Sequence, residues 1–509
     1  MFYKNLQIHY LIRLDLQQDD KVKMRLQKVR NLDQRTTEQL LHCLQVYLGR
    51  QINYDEKRYM IMLYQSSRFN EYYQIGEACL VLNTLFWKVY EIPRTVYFNM
   101  QHNTLNEDEL MDSGLIKRLL DNHLIVDADF DEVALMEHQI YQAQYSQDLK
   151  VTILPTEACN FRCVYCYEDH QSGKMSEQTE QRIHQFFRKY ILKYRSVNIE
   201  WFGGEPLLQK DCVIRIAQTV KQEGRRHHVP VIASMTTNGY ELDVETMKCL
   251  IAQNILYFQI TLDGMEEDHD RMRPHVSGKG TFQRIFKNLV DIQENISSHL
   301  FKIAIRINVS KSNAASIPDF VAFLNRQFGT DHRFSILIER VHDWGGNSVK
   351  MMQENLYNDL NSLNGVFNQV SAGVMPITRD FGENLSNRMC HSFKDNGLVF
   401  NFDGRIFKCA KMMYEKDEKI KKNNELGYLD KNGKIVLNVL RNAQWLTPPK
   451  WNEACFDCKL RPVCYTLHCP ASRFTNREKC LKTYYGAQNL EVLVADAYRN
   501  GDVYKIKGE

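Results

Sequence analysis

Residues 151–169 read "VTILPTEACNFRCVYCYED". A short β-branched apolar run leads into a loop that carries Cys159, Cys163 and Cys166 within eight residues. Apolar runs of this length, bounded by turn residues, read as strands. The same kind of run returns five more times: "VNIEWFGG", "VPVIASMTTNG", "ILYFQITLDG", "KIAIRINVS" and "RFSILIERV". Between them lie amphipathic stretches such as "SEQTEQRIHQFFRKYILKY", "DVETMKCLIAQN" and "TFQRIFKNLVDIQENI". Strand and helix in alternation predict repeated βαβ units and a parallel sheet over 151–344. The expected class is α/β, an open sheet or a partial (β/α)6 barrel. In either form ligands gather at the carboxyl ends of the strands. The chemistry-bearing residues fall at those ends: the cysteines after strand 1, Gly203-Gly204-Glu205 after strand 2, Asn238-Gly239 after strand 3 and Asp263-Gly264 after strand 4.

Two cysteines make a disulfide and four close a structural zinc site, usually as two CxxC-like pairs. Here one pair is CxxC and the third cysteine stands four residues upstream. His170 is available as a fourth zinc ligand, so that reading stays open. Closely spaced thiolates on a loop suit an iron–sulfur cluster better. A cubane with three protein thiolates leaves one iron for a small molecule, as a catalytic zinc site keeps one open position.

The chain has 509 residues, of which 44% are hydrophobic and 25% charged, as in an ordinary globular protein of two to four domains. The net charge of +3 does not point to a polyanionic partner, so nucleic acid is not expected. The basic clusters Arg225–His228 and Lys419–Lys422 read as solvated faces. No apolar run reaches membrane-spanning length, and the N-terminus lacks the h-region of a signal peptide. A cytoplasmic protein with no membrane association is expected.

Of the 14 cysteines, seven more lie between Cys390 and Cys480: Cys390, Cys409, Cys455, Cys458, Cys464, Cys469 and Cys480. Clustered cysteines in a large chain read as metal or catalytic sites rather than a disulfide scaffold. Cys43, Cys79, Cys212 and Cys249 stand alone in apolar surroundings and read as small buried hydrophobes. The last 120 residues show little long-range periodicity and suggest a fold organised by metal.

Cys159-x3-Cys163-x2-Cys166 after a first strand resembles the signature of the radical S-adenosylmethionine (SAM) superfamily. The resemblance implies that these cysteines ligate a [4Fe–4S] cluster whose fourth iron binds SAM. Reductive cleavage then yields a 5′-deoxyadenosyl radical that abstracts hydrogen from substrate. It also implies that Tyr165 packs on the adenine. "WFGGEP" resembles the family's GGEP element: Gly203 and Gly204 would let backbone approach the ligand, and Glu205 would accept from the methionyl ammonium. Ser234, Thr236 and Asn238 would lie near the ribose or carboxylate. Asp263 shares the rim. Arg306 alternates with apolar neighbours and would face the barrel interior, within reach of the SAM carboxylate. The acid–base residues are not legible; Asp263, Glu339 and Asp343 lie near strand ends, where carboxylates commonly cap loops.

The distal cysteines resemble the SPASM extension, which binds two auxiliary [4Fe–4S] clusters, with x4 instead of x3 before Cys469. By that resemblance Cys455, Cys458, Cys464 and Cys480 hold one cluster. Cys390, Cys409 and Cys469 hold the other, with one iron open or closed by His391 or His468. Two full cubanes need eight thiolates and seven are present.

The expected organisation is an N-terminal extension of unread role (1–65), a small α+β module (66–150), the radical SAM core (151–344), a bridging region (345–389), a SPASM domain (390–485) and a tail (486–509). In the module, "YYQIGEACLVLNTLFWKVYEI" predicts two strands and "LNEDELMDSGLIKRLLDNHLIVD" a helix with acidic residues in its first turn. Its pattern resembles a winged-helix leader-recognition element, which would add a leader peptide to a sheet edge. The expectation is a maturase of a ribosomally synthesised peptide, forming a thioether or carbon–carbon crosslink, with the precursor and a flavodoxin- or ferredoxin-like reductant as partners. An anaerobic sulfatase-maturating enzyme is the alternative within the class; the 150 residues before the three-cysteine loop speak against it. A non-catalytic zinc-binding interaction protein is the alternative outside it.

Overall fold

The computed structural model describes residues 64–104, 113–170, 173–343, 347–357, 389–467, 469–475 and 480–506. Cys43, His468 and the 1–63 extension lie outside the described residues. The chain divides into two compact units.

The smaller unit comprises the described residues of 1–68, 92–131 and 506–509. Strand β1 (Tyr64–Ser66) pairs antiparallel with β5 (Ile125–Asp127), and helices Arg94–Gln101 and Ser113–Asp121 lie in the same unit. The helix predicted through Asp127 stops at Asp121, and its final apolar residues form β5 instead. The acidic residues expected in its first turn lie outside the described residues.

The larger unit comprises 69–91 and 132–505. The segment predicted as two strands contains three: β2 (Asn70–Ile75), β3 (Ala78–Asn83) and β4 (Lys88–Glu91), joined as a meander. The predicted 66–150 module thus contributes residues to both units.

The six predicted strands are all present: β6 (Asp148–Ile153), β7 (Ser196–Trp201), β8 (Val231–Thr237), β9 (Ile255–Thr261), β10 (Lys302–Val309) and β11 (Phe334–Arg340). They pair in sequence order and every pairing is parallel. Helices cross between them, as a parallel sheet demands. Helix Glu177–Tyr190 starts on Ser176, whose hydroxyl accepts from the Thr179 amide at 3.1 Å. It carries Glu177 and Glu180 at its positive end and Arg188 and Lys189 at its negative end. The basic run Arg225–His228 closes helix Lys210–His227, where positive charge suits the helix dipole.

One side chain in two packs against these helices: Leu149, Val151 and Ile153 of β6, and Ile303, Ile305 and Ile307 of β10, belong to one buried core. The alternate residues face the barrel interior and are mainly polar, among them Thr152, Glu200, Ser234, Thr236, Arg306 and Glu339.

The cysteine-rich region does not depend on metal alone for its order. Strand β12 (Gly397–Phe400) pairs parallel with β6, and β13 (Arg405–Phe407), β14 (Glu425–Leu429) and β15 (Ile435–Leu437) continue antiparallel. The result is a ten-stranded sheet with the six parallel strands at one side. Strands of three to five residues carry too little alternation to stand out in sequence. The last strand, β16 (Tyr504–Lys505), pairs with β4.

Cys79 and Cys212 are buried as expected, but Cys249 is exposed on helix Val244–Ala252. Among the described residues no helix is long and apolar enough to cross a membrane.

Candidate functional site

The loop that follows β6 is held from both sides. Thr156 Oγ1 donates to the Gly173 carbonyl at 2.5 Å and accepts from the Ala158 amide at 3.0 Å. The amides of Arg162, Val164 and Val276 bond to the carbonyls of Pro274, Met272 and Asn160. The Cys163 carbonyl accepts from the Cys166 amide at 3.1 Å, closing the CxxC turn.

The two glycines of "WFGGEP" pack closely on the cysteine loop. The amide of Gly204 donates to the Thr156 carbonyl and that of Glu205 to the Ala158 carbonyl. A Cβ on Gly203 would lie 2.3 Å from the Thr156 oxygen, and one on Gly204 would lie 2.3 Å from that of Ala158. Gly203 also has φ of +119°, which favours glycine. What the glycines admit is the backbone of the cysteine loop.

Glu205 is buried, and its carboxylate is already engaged. Oε1 accepts from the Leu207 amide at 3.0 Å and Thr237 Oγ1 at 2.7 Å; Oε2 accepts from the Asn238 amide at 2.7 Å. Burial raises its pKa and these donors pull it back. Asn238 then reaches Asn160 Oδ1 at 2.7 Å and lies 4.0 Å from Cys159 Sγ. Glu205 and Asn238 therefore tie the ends of β7 and β8 to the loop.

Tyr165 is tied by its hydroxyl. It donates to Asp263 Oδ2 and accepts from Arg273 Nη1 at 2.6 Å and Asn308 Nδ2 at 3.1 Å. Asp263 is fully buried, with Oδ1 accepting from the Asn308 amide at 2.8 Å and Arg273 Nη1 4.0 Å from Oδ2. Burial raises its pKa, against the pull of Arg273. Asp263 thus holds the Tyr165 hydroxyl in place on this rim. Arg273 and Asn308 were missed in sequence because they lie 108 and 143 residues from Tyr165; only the fold joins them.

Ser234 and Thr236 face the interior from β8. Arg306 does so from β10, with Nε donating to Asn308 Oδ1 at 2.8 Å. Glu339 faces the same way, and Asp343 accepts from Gln353.

Burial favours the protonated form of the loop thiols. Burial, then Glu205, pushes Cys159 up to about 12; burial also raises Cys163 and Cys166. A metal must displace those protons. Buried polar atoms without partners concentrate here: Asn160 Nδ2, Tyr167 Oη, Glu168 Oε2 and His170 Nδ1. Interiors rarely leave such atoms unpaired, so the loop fits a further group. Among the described residues no three His, Cys, Asp or Glu side chains converge on a single ion. A cubane asks less, since each thiolate binds a different iron.

A second set of thiols lies toward the opposite end of the sheet. Cys390 precedes β12, which runs with β6, and Cys409 follows β13, which runs against it. Both therefore sit toward the end where β6 begins. Cys409 is raised to about 12 by burial, then by Cys469 and Cys390; Cys469 is raised by burial, then by Cys390. Cys390, Cys409 and Cys469 thus lie within electrostatic reach of one another. Buried lysines surround them. Lys408 is fully buried, its Nζ donating to the Lys394 carbonyl at 2.6 Å and Asn442 Oδ1 at 2.8 Å. Burial lowers Lys408 to about 7 and Lys394 to about 8. An anionic cluster beside Cys390 would favour the charged form of both lysines.

Cys455, Cys458 and Cys464 occupy helices Glu453–Phe456 and Arg461–Leu467 and the turn between them; Cys458 and Cys464 pack on Leu460, Val463, Leu490 and Val494. Cys480 caps helix Leu481–Arg499 and is exposed. Burial raises the pKa of Tyr167, with Glu168, Cys166 and Cys409 adding to the effect.

Residues 153–320 match the radical SAM superfamily. The chain is 26% identical over 215 residues to Fe-coproporphyrin III synthase of Methanosarcina barkeri, covering 42% of this chain and 49% of the synthase. It is 23% identical over 331 residues to the serine-type anaerobic sulfatase-maturating enzyme of Klebsiella aerogenes, covering 62% of this chain and 77% of that enzyme. The alignment thus spans about half the length of the first relative and about three quarters of the second. The solved structure of anSMEcpe with bound AdoMet and the Kp18Cys peptide superposes with a TM-score of 0.50 at 17% identity, covering 69% of this chain and 98% of that one. That likeness concerns the fold.

Proposed function

We propose that this chain, an enzyme of the radical SAM superfamily, matures a ribosomally made precursor peptide by forming a thioether or carbon–carbon crosslink. The observation that carries the reading is the pair of three-cysteine sets toward opposite ends of one barrel, with a polar interior face between them. When bound at Cys159, Cys163 and Cys166, a [4Fe–4S] cluster with SAM supplies a 5′-deoxyadenosyl radical for hydrogen abstraction. Gly203, Gly204, Glu205 and Asn238 hold the cysteine loop in place. Asp263, Arg273 and Asn308 fix Tyr165 so that its ring is available to the adenine. Ser234, Thr236 and Arg306 offer interior polar contacts to the rest of SAM.

In the SPASM arrangement Cys390, Cys409 and Cys469 would hold one auxiliary cluster and Cys455, Cys458, Cys464 and Cys480 the other. Closing a crosslink from a substrate radical releases one proton and one electron. The buried Lys394 and Lys408 favour extra negative charge beside Cys390. An external flavodoxin- or ferredoxin-like protein would supply the reducing electron, and residues 66–150 would receive the leader peptide.

A second reading, formylglycine formation in a sulfatase, is favoured by the likeness to the Klebsiella enzyme. Both readings take a peptide substrate, like the one bound to anSMEcpe. The experiment is anaerobic incubation of reduced protein, SAM and short peptides encoded beside the gene, followed by mass spectrometry. A crosslink removes two hydrogens from the peptide and leaves no aldehyde. A product trapped by a hydrazide reagent would favour formylglycine, and a peptide left unchanged while a sulfatase fragment is converted would overturn the crosslinking reading.

A further inference from the structure

We infer that His391 is the fourth protein ligand of the cluster held by Cys390, Cys409 and Cys469, binding through Nε2. The inference rests on the auxiliary-cluster reading above and goes beyond it, because seven cysteines leave one ligand of eight unassigned.

His391 adjoins Cys390 and opens the turn His391–Phe393. Its Nε2 is shielded from solvent and has no hydrogen-bond partner. The backbone of this turn is rigid. The Phe393 amide donates to the Cys390 carbonyl at 2.9 Å and the Lys394 amide to the His391 carbonyl at 3.0 Å. Gly397 lies so close that a Cβ there would sit 1.8 Å from the His391 oxygen. Ser392 Oγ reaches the Lys408 carbonyl at 3.0 Å and ties the two cysteine-bearing segments together. Lys411 is within electrostatic reach of Cys409, Cys469 and His391 alike. A buried lone pair that adjoins Cys390 in the chain, and is otherwise unused, is what a fourth ligand position requires.

An imidazole in place of a thiolate has a measurable consequence. It adds no negative charge, and histidine for cysteine raises the reduction potential of an iron–sulfur centre. The test uses full-length protein in which Cys159, Cys163 and Cys166 are changed to Ala, reconstituted anaerobically with iron and sulfide. Pulsed EPR of the reduced protein should show strong coupling to a directly bound nitrogen, and the pattern should change when the histidines are labelled with 15N. His391→Ala should abolish that coupling. His391→Cys should retain the iron, abolish the coupling and lower the midpoint potential. A reduced cluster that shows no directly bound nitrogen, or one whose coupling persists in His391→Ala, would overturn the inference. The underlying reading is tested separately. If changing Cys390, Cys409 and Cys469 to Ala leaves the iron content unaltered, there is no auxiliary cluster at this site, and the His391 assignment falls with it.

Discussion

Around Cys159, Cys163 and Cys166 the buried ionisable groups are mostly carboxylates: Glu157, Glu168, Glu205 and Asp263, with Arg273 among them. Around Cys390, Cys409 and Cys469 they are lysines: Lys394 and Lys408 are buried, and Lys411 stands nearby. The thiol count is the same and the electrostatic setting is opposite. Nearby negative charge disfavours an added electron and nearby positive charge favours it. With the clusters proposed above, the distal site would take an added electron more readily than the loop site. The difference teaches that the number of cysteines does not assign a role; the charges buried beside them do.

The largest effect separates the sites outright. Changing Cys159, Cys163 and Cys166 together to Ala should remove about a third of the bound iron if three cubanes are present. The Cys390, Cys409 and Cys469 triple should remove a similar share, and iron analysis of the two proteins checks this. Loss of all iron from either would mean that the two sites are not independent.

Gly204→Ala comes next. The new methyl meets the carbonyl oxygens of Ala158 and Glu157 at 2.3 and 2.5 Å, and backbone cannot swing aside as a side chain can. We expect a loss of about 2–4 kcal/mol in chemical unfolding, in the range of overpacked or strained sites. Iron should be lost from the loop site while the distal site stays loaded. Lys408→Met, by contrast, acts at the distal site. It strands Asn442 Oδ1 and leaves the Lys394 carbonyl only the Gly397 amide, costing about 1–3 kcal/mol. It should also lower the potential of the distal cluster without changing that of the loop cluster.

The smallest effect is a pH dependence. His342, following β11, is held at about 3 by burial, with Arg340, Lys411 and Arg306 adding to the depression. Its folded value lies below the unfolded 6.5, so unfolding takes up a proton once the pH falls below that value. The group therefore costs nothing near neutrality and destabilises the protein increasingly from pH 6.5 toward 3. His342→Gln should lose less stability on acidification than the unmodified chain, as unfolding midpoints measured across that range would reveal.

Much of this was legible in sequence. Strands β6 to β11 announced themselves through β-branched runs separated by amphipathic stretches, and the order of those runs put the cysteine loop, Gly203–Glu205 and Asn238 on one rim. What could not be read depends on contacts far apart in the chain. The Tyr165 hydroxyl meets Asp263, Arg273 and Asn308 only because β9 and β10 lie side by side. The close approach of Gly203 and Gly204 to the Thr156 and Ala158 carbonyls is likewise a product of the fold. Strands β12 to β15 were hidden by their shortness. Cys249 was misjudged because an apolar sequence neighbourhood does not say which face of a helix is turned outward.

The central claim is that the three-thiol loop serves reductive SAM cleavage. The most direct measurement is 5′-deoxyadenosine released by anaerobic, reduced protein supplied with SAM, with Cys163→Ala alongside. The account predicts release by the unmodified chain and none by Cys163→Ala, while the Cys390, Cys409 and Cys469 triple still cleaves SAM. Equal release by Cys163→Ala, or none from an iron-loaded unmodified chain, would contradict it.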